Sequence, residues 1–181
     1  MGDVVATYQH GFAGDAGVSA IGRDFKNAMA RLAVGVGVAA CWGDDGAPIG
    51  LLVSSIAALS AEPPRILFCV QKSVRSHNAL FRSRRLSLNI LAEDDRAEAE
   101  RFSNAERVIE RFNPAVWDLD PGAPPRHRAA LVALAGVIAH RMDAGTHTVF
   151  ILNVQDVDAR DAPPLVYFDR RYASIRPLPY A

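Results

Sequence analysis

The chain has 181 residues, 50% hydrophobic and 22% charged, a composition that supports one globular domain with a true core and requires no second. Twenty basic residues balance twenty acidic ones, so no net field draws the chain onto a nucleic-acid backbone or an anionic membrane, and neither is expected as a partner. The first 20 residues hold Asp3, His10 and Asp15 where a signal peptide needs an apolar stretch, and no apolar run reaches the roughly 18 residues that span a bilayer; the expected location is the cytoplasm.

Residues 1–18 are polar and glycine-rich and read as a loose arm ahead of a domain over 19–181. From Arg23 to Ala33, Phe25, Met29 and Leu32 recur at helical spacing and predict a short amphipathic helix. The period then changes: Val34 to Trp42 is apolar and β-branched and stops at Gly43-Asp44-Asp45-Gly46, a strand entering a hairpin turn, followed by a second strand over about 49–56. Pro63-Pro64 opens a third strand, Arg65 to Gln71. Ser76 to Phe81 reads as a short helix capped by Ser76, and Leu86 to Leu91 as a fourth strand. Asp94 to Phe112, rich in Ala, Glu and Arg, predicts two short helices, and Asn113 to Arg128, with its prolines, a long loop. Two long strands, Leu131 to Arg141 and His147 to Asp158, flank the turn Asp143-Ala144-Gly145, and a final pair, Leu165 to Phe168 and Tyr172 to Ile175, follows. Many strands with local connections and few helices argue for a mainly β, antiparallel fold, closed or partly closed into a barrel.

The motifs of several chemistries are absent. Gly35 and Gly37 lie inside a β-branched run, not in a G-x-G-x-x-G turn opening a helix, and there is no G-x-x-x-x-G-K-[ST] loop, nucleophile elbow or H-E-x-x-H helix. Cys41 and Cys69 sit in apolar runs without a C-x-x-C, which predicts buried reduced thiols and no metal site.

Three polar clusters remain. Val53-Ser54-Ser55, at a strand end, offers hydroxyls and backbone N–H groups that suit a polar ring edge or a phosphate; serines that satisfy their own turn would look the same. Gln71-Lys72-Ser73-Val74-Arg75-Ser76-His77 enters a helix with cationic and hydroxyl donors that could hold a phosphate, or else is a capped helix on a solvated surface. His147, just after a turn and at the head of an apolar strand, could reach a cofactor or substrate edge, or bond a backbone carbonyl. His127 and His140 lack such context and read as structural.

In order along the chain, these pieces resemble the short-chain flavin reductases, the reductase components of two-component monooxygenases. The residues that carry the resemblance are Phe25-Lys26-Asn27-Ala28-Met29 through Val36, Gly50 to Ile56 with its paired serines, Leu59 to Pro64, Ser76-His77 with Leu80, Leu88-Asn89-Ile90-Leu91, and Gly145-Thr146-His147. The resemblance implies an FMN-binding split-barrel homodimer that binds FMN or FAD and takes a hydride from NADH or NADPH, serving a monooxygenase partner. It implies Val53, Ser54 and Ser55 at the isoalloxazine and ribityl chain, and Lys72, Ser73, Ser76 and His77 around the phosphate. Asn89 would support the pocket, His147 would lie beside the nicotinamide, and Tyr172 would lie near the ring. The chain departs from the family pattern at Leu52, where threonine is common, at Thr146, where the family has aspartate, and at Arg84-Arg85, where it has a small residue and glycine. The alternative is a flavin-retaining oxidase, or a flavin- or haem-binding split barrel without nicotinamide turnover.

Overall fold

The computed structural model describes residues 17–176 and 178, so the expected N-terminal arm lies almost wholly outside the described residues. Helix α1 (Ala20–Met29) starts earlier than its apolar period implies, because Ser19 caps it, its hydroxyl accepting the Gly22 N–H at 3.2 Å. None of its side chains is buried, and Ile21, Phe25 and Met29, four residues apart on one face, stay in solvent with Leu32.

The apolar run after α1 is two strands. Residues β1 (Val34–Gly35) pair with the C-terminal hairpin β11 (Val166–Phe168) and β12 (Arg171–Ala173), forming a small three-stranded sheet. After Val36 the chain enters the main sheet as β2 (Gly37–Trp42), followed by β3 (Pro48–Val53), β4 (Ile56–Ala61) and β5 (Pro64–Gln71). The strand β4 is a departure from expectation: the expected second strand runs to about 56 and no element is expected between it and Pro63, since Ala and Ser are weak strand formers. It forms because β5 lies alongside, Ile56 opposite Phe68 and Ala57 opposite Leu67.

Helix α2 (His77–Arg82), β6 (Arg85–Ile90) and α3 (Arg96–Ser103) follow, with single 3₁₀ segments at Glu93–Asp95 and Ala105–Glu110. The proline-bearing loop holds one short bridge, β7 (Trp117–Asp118) with β8 (Arg126–His127). The long hairpin β9 (Val132–Ala144) and β10 (His147–Ala159) turns at Gly145, which takes the left-handed φ of +66°. Register shifts in β10 bend this hairpin, and at Gly136 an added Cβ would fall 2.0 Å from the Asn153 carbonyl oxygen, so only glycine lets the strands approach there.

The main sheet is antiparallel throughout, in the order β3-β2-β6-β9-β10-β5-β4. Its two edges are β3 and β4, strands that follow one another in the chain with only Ser54 and Ser55 between. A two-residue link between opposite edges requires the sheet to curl until the edges nearly meet. No ladder joins them among the described residues, so the barrel is split and Ser54-Ser55 stands at the split.

Two cores fill the two sides. Inside the curl, Phe68 and Phe150 stack at 5.3 Å among Leu86, Leu88, Leu134 and Leu152, with Leu80 of α2 plugging one end. Outside, α3 covers the β3-β2-β6 end, where Phe102, Phe112 and Trp117 pack edge to face over Val38, Ala40 and Leu52. Among the described residues no helix is long and apolar enough to cross a membrane.

Candidate functional site at the split of the sheet

Val53 is buried in the inner core, while Ser54 is half-buried and Ser55 exposed. Their hydroxyls make no hydrogen bond among the described residues; the backbone alone is anchored, Ser54 O accepting from Ile56 N at 3.0 Å and Ser55 O from Cys69 N at 3.1 Å. That second bond ties the split to β5, whose next positions lead to the rim. Gln71 lies opposite His147, and Lys72 N–H donates to Thr146 O at 2.9 Å. Cys69 and Gln71 are two positions apart, roughly 7 Å along β5, and Ser55 and His147 lie on its two opposite flanks, so they stand about 12 Å from each other across β5.

Strand alternation sorts the residues by side. Phe68 and Val70 with their partners Phe150 and Thr148 face the inner core, so Cys69 and Gln71 with Val149 and His147 face outward. The half-buried His147 therefore looks away from the inner core, its Nδ1 2.9 Å from the Thr146 hydroxyl. His77 is on the other side: it is buried, its Nε2 is hydrogen-bonded to Thr148 Oγ1 at 2.9 Å, and its ring stacks on Phe81 at 5.7 Å. The two histidines of the sequence reading flank the same strand end from opposite faces.

Between them runs the rim, Lys72 and Ser73, both exposed. Lys72 Nζ lies 2.5 Å from Asp143 Oδ2, and this ammonium, with the Gly145 N–H, holds the Asp143 carboxyl below its ordinary range. Ser76 corrects the expectation of a cap: its dihedrals are already helical (φ −72°, ψ −15°), and its hydroxyl donates across to Gly50 O at 3.3 Å, tying the start of α2 to β3. On the inner side of the rim a cavity of about 360 Å³ opens between α2 and the β9–β10 hairpin, with Phe81, Arg141, Asp143 and Thr148 in its wall beside Lys72 and His77. Arg141 and Phe81 escaped the sequence reading; Arg141 reads there as the polar end of a strand, and only pairing opposite Phe150 shows which face it takes.

Asn89 is fully buried and wholly engaged: its amide donates to Val38 O at 3.2 Å and Ser87 Oγ at 3.0 Å, and its carbonyl accepts from His127 N at 2.9 Å. It clamps the proline-bearing loop onto β6 and touches no open space. Tyr172 packs on Tyr167 at 5.5 Å with Arg96 over its ring, against the outer core and apart from the strand end. The thiols differ: burial pushes Cys41 up to about 11, whereas Cys69, half-buried beside Ser55, is raised by a lesser burial.

A curled, unclosed antiparallel sheet with polar strand ends gathered at its split is the frame of a split-barrel protein. The model of the flavin reductase like domain matches residues 29–176, and the chain belongs to that family. It is 31% identical over 153 residues to an NADH-dependent FMN reductase of Stutzerimonas stutzeri, covering 84% of this chain and 87% of the relative. It is likewise 31% identical over 156 residues to the reductase subunit of a flavin-dependent monooxygenase of Rhodococcus jostii, covering 86% and 78%. Among solved structures, a flavin reductase domain protein of Arthrobacter superposes with TM-score 0.79 at 29% identity, over 87% of this chain and 98% of that one. The styrene monooxygenase flavin reductase of Pseudomonas putida S12 gives 0.75 at 26%, over 86% and 99%.

Proposed function

We propose that this chain is an NAD(P)H:flavin oxidoreductase that reduces FMN or FAD and passes the reduced flavin to a partner monooxygenase. The observation that carries the reading is the line of groups at the split: free hydroxyls of Ser54 and Ser55, then the outward His147, then Lys72 at the rim, within one flavin's reach along a single strand end. The residues fit such a cofactor, offering an apolar wall, polar donors for a ring edge and a cation for a phosphate.

A bound flavin supplies the chemistry, accepting a hydride from the nicotinamide. The protein's part is placement. Val53 backs the site from the inner core; Ser54 and Ser55 donate to the polar edge and ribityl chain; Lys72, Ser73 and Ser76 gather at the phosphate, Lys72 exchanging Asp143 for it. His77 braces the rim through Thr148, and Asn89 acts at a distance by fixing β2, β6 and the loop. His147 orients the nicotinamide, its Nδ1 engaged by Thr146.

The working unit is a homodimer. Ile21, Met29 and Leu32 and the Leu59 of edge strand β4 are exposed apolar side chains among the described residues, surface that a second copy would cover. Tyr172 keeps the place beside the ring that the family pattern gives it only if a second copy brings it there. The free thiols accord with a reducing cytoplasm.

NADH oxidation measured with and without added FMN tests the reading. Flavin-dependent turnover that falls in His147→Ala supports it, and purified protein that turns over no NADH with either flavin overturns it. The reading of a flavin-retaining protein has one observation in its favour, the Thr146 hydroxyl on His147 at the position where the family pattern described above has aspartate, and a yellow protein inert to NADH would establish it.

A further inference from the structure

The cavity on the inner side of the rim is not consumed by the proposed flavin and nicotinamide contacts. Its wall combines an exposed aromatic ring, Phe81 (45% exposed), with the Arg141 guanidinium 5.6 Å over that ring. Arg141 is held in place by one bond, Nη2 to Ser83 O at 2.6 Å, while its Nε is buried without a hydrogen-bond partner. A buried donor left unmet costs free energy that a ligand oxygen would recover. Around it the charge is lopsided. Lys72 stands at the lip, and Arg75 and Arg84 are exposed just before and just after α2, against Asp143 in the wall. The arginine at position 84, which departs from the family pattern, so acquires a place: its carbonyl accepts from Ile138 N at 3.0 Å, which sets it beside β9, the strand that carries Arg141.

We infer that this cavity receives the adenylate half of FAD, with the planar guanidinium of Arg141 and the Phe81 ring taking the purine and the cationic rim taking the second phosphate. The inference rests on the flavin reading above and deepens it by choosing between FAD and FMN. Size is compatible with it: at about 360 Å³ the cavity lies at the small end of ligand sites. Position supports it as well. A flavin phosphate at Lys72 sits on the lip, so the chain of a diphosphate continues over the rim into the cavity. His147, the nicotinamide residue, faces the opposite side of the same strand, so the adenylate of a pyridine nucleotide is the less suited source. Arginine stacks on planar rings and pairs with phosphate oxygens, and its neighbourhood to an aromatic ring suits a purine monophosphate.

Equilibrium titrations with riboflavin, FMN and FAD, read by flavin fluorescence, test this on the wild type and on Arg141→Gln and Phe81→Leu. The wild type is expected to bind FAD about tenfold or more tightly than FMN, the scale of one charge-assisted hydrogen bond. Arg141→Gln is expected to erase that ratio by weakening FAD alone, Arg141→Lys to restore part of it, and Phe81→Leu to reduce it. Matched melting curves show whether each variant folds. Equal affinity for FMN and FAD in the wild type overturns the inference while leaving the flavin reading intact. Equal losses for both flavins in folded Arg141→Gln overturn it too, and absence of all flavin binding overturns both. A raised KM for NADH in Arg141→Gln with the FAD-to-FMN ratio unchanged would give the cavity to the pyridine nucleotide and sink the assignment to FAD.

Discussion

The two ends of the main sheet are built from similar strands and treated in opposite ways. At the β3-β2-β6 end the outer face is sealed by the protein's own chain: α3, the proline-bearing loop and the aromatic group of Phe102, Phe112 and Trp117. At the β10-β5-β4 end the outer face carries no such cover among the described residues, and Cys69, Gln71, Val149 and His147 are half-buried beside an edge strand whose Leu59 is exposed. The sealed end holds the larger aromatic core; the open end holds the groups proposed above to meet the flavin and nicotinamide.

The difference is sharpest in the histidines. His147 at the open end stands beside a hydroxyl and solvent; His127 at the sealed end is fully enclosed, its Nε2 3.7 Å from Asp95 Oδ1 and its ring edge-on to Trp117 at 5.2 Å. Burial holds His127 below its ordinary range despite Asp95 and Glu98 nearby, and the same burial raises the Asp95 carboxyl. A histidine at the open end can serve a ligand, and one at the sealed end serves the fold.

The largest effect that would break this contrast is a loss at the sealed end. Phe102→Ala is expected to cost about 3–5 kcal/mol, lowering the urea midpoint sharply, because a fully enclosed ring leaves a cavity; a cost near zero would show that the aromatic group is not a core. At the open end, His147→Ala is expected to leave the melting temperature within about a degree and lower kcat/KM for NADH at least tenfold, about 1.4 kcal/mol in the barrier. If the proposed dimer pairs through this edge, Leu59→Asp is expected to shift it to monomer in light scattering, since a charge on an apolar edge opposes pairing, and an unchanged mass would take β4 out of the interface.

A smaller effect lies in pH. Because the folded His127 resists the proton that the unfolded chain binds near 6.5, its contribution to stability is complete above pH 6.5 and is lost as the pH falls below it. Asp95 works in the opposite sense, its raised folded value favouring the fold as the pH drops toward that value, so the two partly cancel. Replacing His127 with Phe should flatten the urea midpoint against pH below 6.5; an unchanged slope would remove His127 from the account. Smallest of all, Asp143→Asn should leave stability unchanged, as the carboxylate is fully exposed, yet tighten FMN relative to riboflavin by releasing Lys72.

Much of the candidate site was legible because its residues are consecutive. Ser54-Ser55, Lys72-Ser73 and Thr146-His147 are short runs at strand ends, and runs keep together whatever the fold does. What stayed illegible was the side each residue takes. His77 and His147 look alike as polar residues beside a strand, and only the pairing of Thr148 with Val70 puts one inward and the other outward. Asn89 read as a pocket residue is, by its contacts, a clamp inside the protein. The β4 strand was missed because its alanines and serine carry little preference of their own; β5 supplies it.

By itself, then, the sequence determined the period of most strands, the turns at Gly46 and Gly145, the three helical regions and the order of the polar clusters, since these depend on residues near one another in the chain. The tertiary structure decided that β3 and β4 become opposite edges, that the barrel stays split, that α1 buries none of its side chains and that Arg141 joins Phe81 in a cavity. The reason is one of range: local pattern sets dihedral angles and faces, whereas which faces meet depends on contacts between residues far apart in sequence, and those form only when the whole sheet curls.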